Sequence, residues 1–449
     1  MISILQFHNL YQQPGGEDVE MRAEKGLLTA AGHRVLEYFR DNDEIARYGP
    51  WEKATLGLRT VWAWDSYREI RALLRREKPD VAHFHNTFPL ISPAAYYVCQ
   101  NAGVPVVQTL HNYRLLCPAA TLQNDGRVCE DCLGRSPWRG VLHGCYRGSR
   151  PATAATALML SVHRWLGTWS KMVDCYIALT EFARAKFIEG GLPAEKIVVK
   201  PNFVHPDPLA VAAMSPSPNS ADAQRAPLQQ YEPQGSKASH CATGVLNPES
   251  RIPNPQPPCC ALFVGRLSEE KGLRTLVAAW KRLGNRLPLR IVGHGPLGPE
   301  LEGDASRHGL SSISFPGHLT PAHVIPLMKC ARFLVFPSEL YEGMPRTIIE
   351  AFACGVPVIA SRLGAIEEIV TDGRTGLHFT PGDPDDLAAK VEWAWTHPDE
   401  MQAMGRAARA EYEFKYTAER NYQMLMDIYE RVIRARRDGT PVTETPPTN

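Results

Sequence analysis

The stretch Cys260-Ala261-Leu262-Phe263-Val264-Gly265-Arg266-Leu267-Ser268-Glu269-Glu270-Lys271-Gly272 opens the more informative half of the chain. Five apolar residues end at a glycine, a charged crossing follows, and helical periodicity resumes at Leu273–Leu283. A strand that turns at glycine into an amphipathic helix begins a βαβ unit. The rhythm continues downstream. Leu289–Val292, Ser312–Phe315, Phe333–Phe336, Pro357–Ala360 and Gly376–Phe379 read as strands, and Pro321–Lys329, Arg346–Ala353, Ala365–Thr371 and Asp385–His397 as helices. It holds upstream as well, with strands at Ile2–Phe7, Arg34–Phe39, Asp80–Phe84, Val104–Leu110, Asp174–Leu179 and Lys196–Lys200, and helices at Glu20–Ala31 and Tyr67–Lys78. Such alternation predicts an α/β fold of two doubly wound domains with parallel sheets and right-handed crossovers. It places a ligand at the carboxyl ends of the strands, in a cleft between the domains.

The expected organisation is an amino-terminal domain over 1–204, a linker over 205–258, a second domain over 259–416, a helix over 417–438 and a loose tail over 439–449. The linker is dense in Pro, Ser, Ala, Gln and Asn, too poor in apolar residues to offset its ordering entropy, and is expected to be largely disordered.

The 449 residues carry 49 Lys plus Arg against 48 Asp plus Glu, a formal charge of +1. This balance argues against a polybasic nucleic-acid binder. The longest mostly apolar run, Ala152–Val162, falls short of the roughly 20 residues a spanning helix needs. The N-terminus enters a strand at Ile2 without a charged-then-apolar leader, so the expected location is cytoplasmic, with peripheral attachment to the inner membrane face left open.

Several loops carry candidate chemistry. Arg266 and Lys271 lie in the first strand-to-helix crossing of the second domain, where a guanidinium and an ammonium would suit a diphosphate; pairing with Glu269 and Glu270 is the equal alternative. Gly293 follows the next strand in Val292-Gly293-His294-Gly295, a turn too common to be decisive. Glu342-Gly343-Met344-Pro345-Arg346-Thr347-Ile348-Ile349-Glu350 is stronger. Pro345 suits a helix start, Gly343 allows close ligand approach, and free helix-start amides bind anions. Glu342 and Glu350, eight positions apart, cannot form one carboxylate dyad but could hold hydroxyls on either side of a phosphate.

Gly265-Arg266, Lys271-Gly272, the glutamates at 342 and 350, Ala351-Phe352-Ala353-Cys354-Gly355-Val356-Pro357, Asp372-Gly373-Arg374-Thr375-Gly376 and Pro381-Gly382-Asp383 together resemble the retaining glycosyltransferases of family 4. The resemblance implies the GT-B fold, two Rossmann-like domains with the active site between them. It implies that Arg266 and Lys271 neutralise a donor diphosphate, that Glu350 binds ribose hydroxyls, that Glu342 contacts the transferred sugar, and that Gly343, Met344, Pro345 and Arg346 line the donor site with Gly265 and Gly293. Arg346 stands where relatives look apolar. In the first domain it singles out His111, at the end of strand Val104–Leu110, as a contact to the sugar; a strand-end histidine bonded to a neighbouring carbonyl is the alternative. Gly15 and Gly16 would approach the donor, or form an ordinary turn, with Glu17 and Asp18 on the acceptor side and Gly364 and Glu367 as weaker candidates. The implied activity is transfer of a hexosyl group from a UDP- or GDP-linked sugar to a glycan or polyprenyl-diphosphate-linked acceptor, in surface polysaccharide synthesis, with no cofactor required for catalysis. A sugar-nucleotide epimerase of related fold and a non-catalytic scaffold are the alternatives.

Two features stand outside that resemblance. Cys117, Cys129, Cys132 and Cys145, in an insertion over 117–145, have spacing compatible with a structural zinc site; four reduced thiols are the alternative. From Leu133 to Val173 there is no Asp or Glu, while Arg135, Arg139, Arg147, Arg150, Arg164 and Lys171 accompany Trp138, Trp165 and Trp169. That composition suits an anionic membrane surface, or a solvated helical face.

Overall fold

The computed structural model describes residues 1–11, 15–213 and 260–440. The first sheet uses β1 (Ser3–Leu10), β2 (Arg34–Asp41), β3 (Val81–Phe84) and β4 (Val106–Leu110). A two-residue hairpin follows, β5 (Gln123–Asn124) and β6 (Arg127–Val128), and then β7 (Cys175–Ala178) and β8 (Ile197–Val199) complete the sheet. The second sheet uses β9 (Cys260–Val264), β10 (Leu289–Val292), β11 (Ile313–Gly317), β12 (Ala331–Phe336), β13 (Val358–Ser361) and β14 (Gly376–Phe379). The strand orders are β2-β1-β3-β4-β7-β8 and β11-β10-β9-β12-β13-β14, and the pairings within both six-stranded sheets are parallel. Both are doubly wound, as the alternation predicts. The order reverses between β1 and β3 and between β9 and β12, and a doubly wound sheet opens its ligand crevice at that reversal.

Parallel strands covered on both faces should be buried along their length, and several are. Val81–Phe84, Val106–Leu110, Cys175–Ala178, Val358–Ser361 and Gly376–Phe379 are buried at every position. Separate cores form in each half, around Phe7, Phe84, Tyr96 and Tyr176 in the first and around Phe263, Leu276, Trp280 and Phe333 in the second.

Three elements differ from the expectation. The first helix runs from Gly16 to Ala30 rather than from Glu20, because the Asp18 carboxylate reaches back to accept from the Gly15 amide at 2.7 Å and so caps a turn that has no apolar periodicity. The expected linker starts at 205, yet Pro208–Ala213 is helical and Asp207 pairs with Arg409 at 2.6 Å; residues 214–258, like Pro14 and 441–449, lie outside the described residues. The last helix, Ala418–Asp438, packs on the first sheet although it follows the second in sequence. Leu425, Ile428, Tyr429 and Val432 join Ile4, Val81, Val107 and Ile177 in one apolar cluster. The Tyr429 hydroxyl lies 2.7 Å from His83 Nδ1, and the Tyr422 hydroxyl 2.8 Å from His33 Nε2.

Candidate functional site

The loops at the two sheet reversals meet. In the second half, β9 feeds Gly265–Gly272. The turn closes at Gly272, whose φ is +64° and where a Cβ would stand 1.8 Å from the Pro337 carbonyl oxygen, so only glycine lets the β9 and β12 loops pack this closely. This directs Lys271 across to Glu342, Nζ to Oε1 at 2.6 Å, and Ser338 donates to the same oxygen at 2.7 Å. Lys271 is therefore not paired with Glu269 or Glu270. Glu269 is taken by Arg274, and Glu270 accepts from the Ser268 hydroxyl. The exposed Arg266 side chain has no ion-pair partner among the described residues. Gly293 packs on the carbonyl of Gly265, which joins the β10 loop to the same surface.

Across the groove, β4 ends at His111. A Cβ at Gly343 would lie 2.7 Å from the His111 carbonyl oxygen. Gly343, next to Glu342 and its partner Lys271, thus meets the main chain of the first half at His111. The halves are also joined by Arg346, whose guanidinium bonds Glu350 at 2.9 Å and reaches Glu20 of the first half at 3.4 Å. Glu350 is pushed up from its ordinary value by burial, with Arg346 pulling the other way. Pro345 caps the helix Arg346–Ala353 rather than sitting inside it. The Met344 side chain turns away from the groove to meet the Asn202 amide, Sδ at 3.1 Å, leaving backbone rather than side chain at that point of the groove. Gly364 packs against Tyr341 and Phe182, and Glu368, not Glu367, bonds across the halves to the amides of Glu181 and Phe182 at 2.9 and 2.8 Å.

On the first half, Gly15 and Gly16 are exposed and a Cβ on either would meet no described residue within 4 Å. Asp18 bonds His8 Nε2 at 2.9 Å. Glu17 accepts from Tyr11 and Asn112 at 3.3 and 3.4 Å, while its other oxygen is buried without a hydrogen bond. Burial, then the Asp18 charge, pushes Glu17 up to about 8.

Sequence reading missed a polar network behind His111. His83 lies on β3 and His85 just past its end, Glu20 and Glu24 lie one turn apart on the first helix, and Lys200 bonds Glu24 at 2.6 Å and Asn421 at 3.1 Å. The signal was present: one histidine in an otherwise apolar strand and another just past it, and an i, i+4 acidic pair on a helix face that must be buried. Glu24, His83 and His85 are, among the described residues, the set of metal-ligating types whose ligand atoms lie within 4.8 Å of one another. Both His83 nitrogens, however, face hydroxyls, Tyr429 at 2.7 Å and Thr109 at 2.8 Å, and Lys200 already supplies the countercharge.

The four clustered cysteines are free thiols. Burial pushes the Cys132 and Cys145 thiols up, with smaller contributions from the neighbouring cluster cysteines, but no three of the four sulfurs lie within 4.8 Å of one another. The β5–β6 hairpin turns through Asp125 and Gly126, both at positive φ, as its Asn-Asp-Gly sequence favours. On the basic segment, Trp138, Leu142 and Trp165 are exposed, but Trp169 is core, 7% accessible. Helix Pro50–Val61 packs beside helix Arg150–Trp165 and extends this face with exposed Trp51 and Leu58.

The raised Glu17 carboxyl has a consequence for stability. The folded state keeps its proton where an unfolded glutamate has lost it, so stability falls as pH rises from about 4.5 to about 8. Glu17→Gln should make that decline shallower in urea unfolding across the window; an unchanged slope would show that Glu17 is not protonated in the folded protein.

Two sequence comparisons bear on this site. Residues 259–397 match the family described as Glycosyl transferases group 1, and residues 26–208 match Glycosyltransferase Family 4. The chain is 35% identical over 159 residues to the D-rhamnosyltransferase WbpZ of Pseudomonas aeruginosa, covering 35% of this chain and 41% of that protein. It is 29% identical over 177 residues to the O-antigen chain mannosyltransferase C of Escherichia coli, covering 39% and 47%. The aligned region thus spans less than half the length of either relative. The crystal structure of Anabaena HepE in complex with UDP superposes with a TM-score of 0.61 over 96% of this chain and all of that one, at 17% identity, and so shares the two-domain GT-B fold. With one family match on each half and that fold throughout, the chain belongs to the group 1, family 4 glycosyltransferases.

Proposed function

We propose that this protein transfers a hexosyl group from a nucleotide diphosphate sugar to a glycan or lipid-linked acceptor, with retention of anomeric configuration, in surface polysaccharide synthesis. The observation that carries the reading is the convergence of Lys271 and Glu342 from one half with His111 from the other at Gly343. Residues 1–204 then form the acceptor side and 259–416 the donor side. Breaking a sugar–phosphate bond puts positive character on the anomeric carbon and negative charge on the departing diphosphate. Lys271, with Arg266, which has no ion-pair partner among the described residues, meets that charge, and the helix start at Arg346 adds its amides. Glu342 holds Lys271 in place until the diphosphate arrives and then faces the sugar. Glu350 exchanges Arg346 for ribose hydroxyls, and Gly15 and Gly16 approach the donor. The acceptor hydroxyl attacks from the leaving-group side, and the departing phosphate takes its proton. UDP and GDP donors both fit this chemistry. HepE was crystallised with UDP, whereas the relatives' names include a rhamnosyl- and a mannosyltransferase, which leaves the sugar open.

The acceptor side supports a membrane-proximal setting. No helix among the described residues is long and apolar enough to cross a membrane. Exposed Trp51, Trp138, Leu142 and Trp165 stand among exposed Arg135, Arg139, Arg147 and Arg150, an arrangement that suits peripheral docking on an anionic cytoplasmic leaflet. The Cys117–Cys145 excursion has little regular structure, a short hairpin and a five-residue helix, and is tied to the first core through Cys117, Leu122 and Leu133. Four thiolates drawn onto a tetrahedral zinc ion would brace it.

Four measurements test these readings. Without acceptor, the protein should slowly hydrolyse its nucleotide sugar; release of a second sugar isomer instead would indicate an epimerase. Lys271→Ala should lower turnover about 10²–10³-fold, while Glu350→Ala should chiefly weaken donor binding, roughly tenfold; unchanged kinetics in both would show that the site is misplaced. The protein should float with anionic but not neutral liposomes, and binding indifferent to lipid charge would end the docking idea. Metal analysis of the purified protein should give stoichiometric zinc, and four titratable thiols without metal would exclude it.

A further inference from the structure

Behind His111 lies a line of buried polar groups that the transfer chemistry does not itself use. His111 Nε2 is 3.0 Å from His85 Nδ1. The opposite nitrogen of His85, Nε2, is 3.6 Å from Glu24 Oε2, and both of these atoms are buried with no hydrogen-bond partner. The other Glu24 oxygen is ion-paired with Lys200 at 2.6 Å. The His111 Nδ1 nitrogen has no hydrogen-bond partner among the described residues, and the residue, whose carbonyl meets Gly343, keeps partial solvent contact.

Burial holds both His85 and His111 well below the ordinary histidine value, so each ring is neutral and carries one N–H. Two arrangements of those hydrogens satisfy the 3.0 Å contact. In one, His85 donates to His111 and turns the lone pair of its own Nε2 toward the Glu24 oxygen, two acceptors face to face in a dry site. In the other, the His85 N–H points at Glu24, His85 Nδ1 accepts from His111 Nε2–H, and His111 Nδ1 is left as an acceptor. The second avoids the repulsion and gives the buried Glu24 oxygen a facing donor dipole. The remaining neighbours do not disturb this. His83 is committed to Tyr429 and Thr109, His8 to Asp18, and Glu20 faces the Phe203 amide and Arg346.

We propose that Glu24 and His85 are positioning residues that lock His111 into its Nε2–H form, so that the ring presents an unprotonated Nδ1 to a hydroxyl of the sugar being transferred. The proposal rests on the transferase reading for the identity of that hydroxyl, though not for the tautomer itself. It makes His111 a hydrogen-bond acceptor, and so a selector for a sugar hydroxyl at that point over a deoxy position or an alkyl group.

The test is the ring ¹⁵N–¹H correlation spectrum of histidine-labelled full-length protein, with the His111 signals assigned by their loss in His111→Ala. The wild type should show His111 with the proton on Nε2. His85→Leu should leave His111 a mixture of tautomers and lower turnover about tenfold to a hundredfold with donor KM little changed. His85→Gln, whose side-chain carbonyl can accept from Nε2–H, should restore the tautomer and most of the rate. A proton on His111 Nδ1 in the wild type, or a tautomer unmoved by His85→Leu, overturns the proposal. If the spectra come out as expected but no nucleotide sugar is turned over, the relay stands and the transferase reading falls.

Discussion

The groove depends on a backbone contact. The His111 carbonyl sits where Gly343 would carry a side chain, so the end of β4 and the loop after β12 touch without side chains between them. Any other residue at 343 would hold the halves apart, and the distance from His111 to the Lys271–Glu342 pair would be set by a side chain. Glycine makes that distance a property of two main chains, one at the end of the buried strand β4 and the other just before the helix Arg346–Ala353. Electrostatic catalysis needs such fixity, because a charge aimed in advance costs no reorganisation when the bond breaks.

The C-terminal helix serves the same end. After completing the second half, the chain returns to lay Leu425, Tyr429 and Val432 on the first sheet. Its Asn421 and Tyr429 also finish the hydrogen bonding of Lys200 and His83. The buried charges behind His111 are therefore partnered by a segment from the far end of the sequence. Removing a partner from such a group leaves a desolvated charge, which costs more than the contact returns.

Much of this was legible in the sequence. Strand and helix periodicity gave both sheets, and glycine punctuation located the loops at β9 and β12. Charged residues in those loops marked Lys271 and Glu342 as candidates, but not that they would pair with each other, because Glu269 and Glu270 were nearer in sequence. The partner of Arg346 in the other half, the return of the last helix and the His111–His85–Glu24 line were not legible. Each is a long-range contact between residues whose local surroundings look ordinary. Helix Gly16–Ala30 began early for a similar reason: its first turn is held by a side-chain cap on Asp18, which hydrophobic periodicity does not register.

The central claim is that cations and backbone from the two halves form one diphosphate-catching groove. Calorimetric titration with nucleoside diphosphates and the matching monophosphates tests it directly. The account predicts that UDP or GDP binds at least about tenfold tighter than its monophosphate and that replacing both Arg266 and Lys271 with alanine abolishes the difference. Equal binding of di- and monophosphate by the wild-type protein would contradict it.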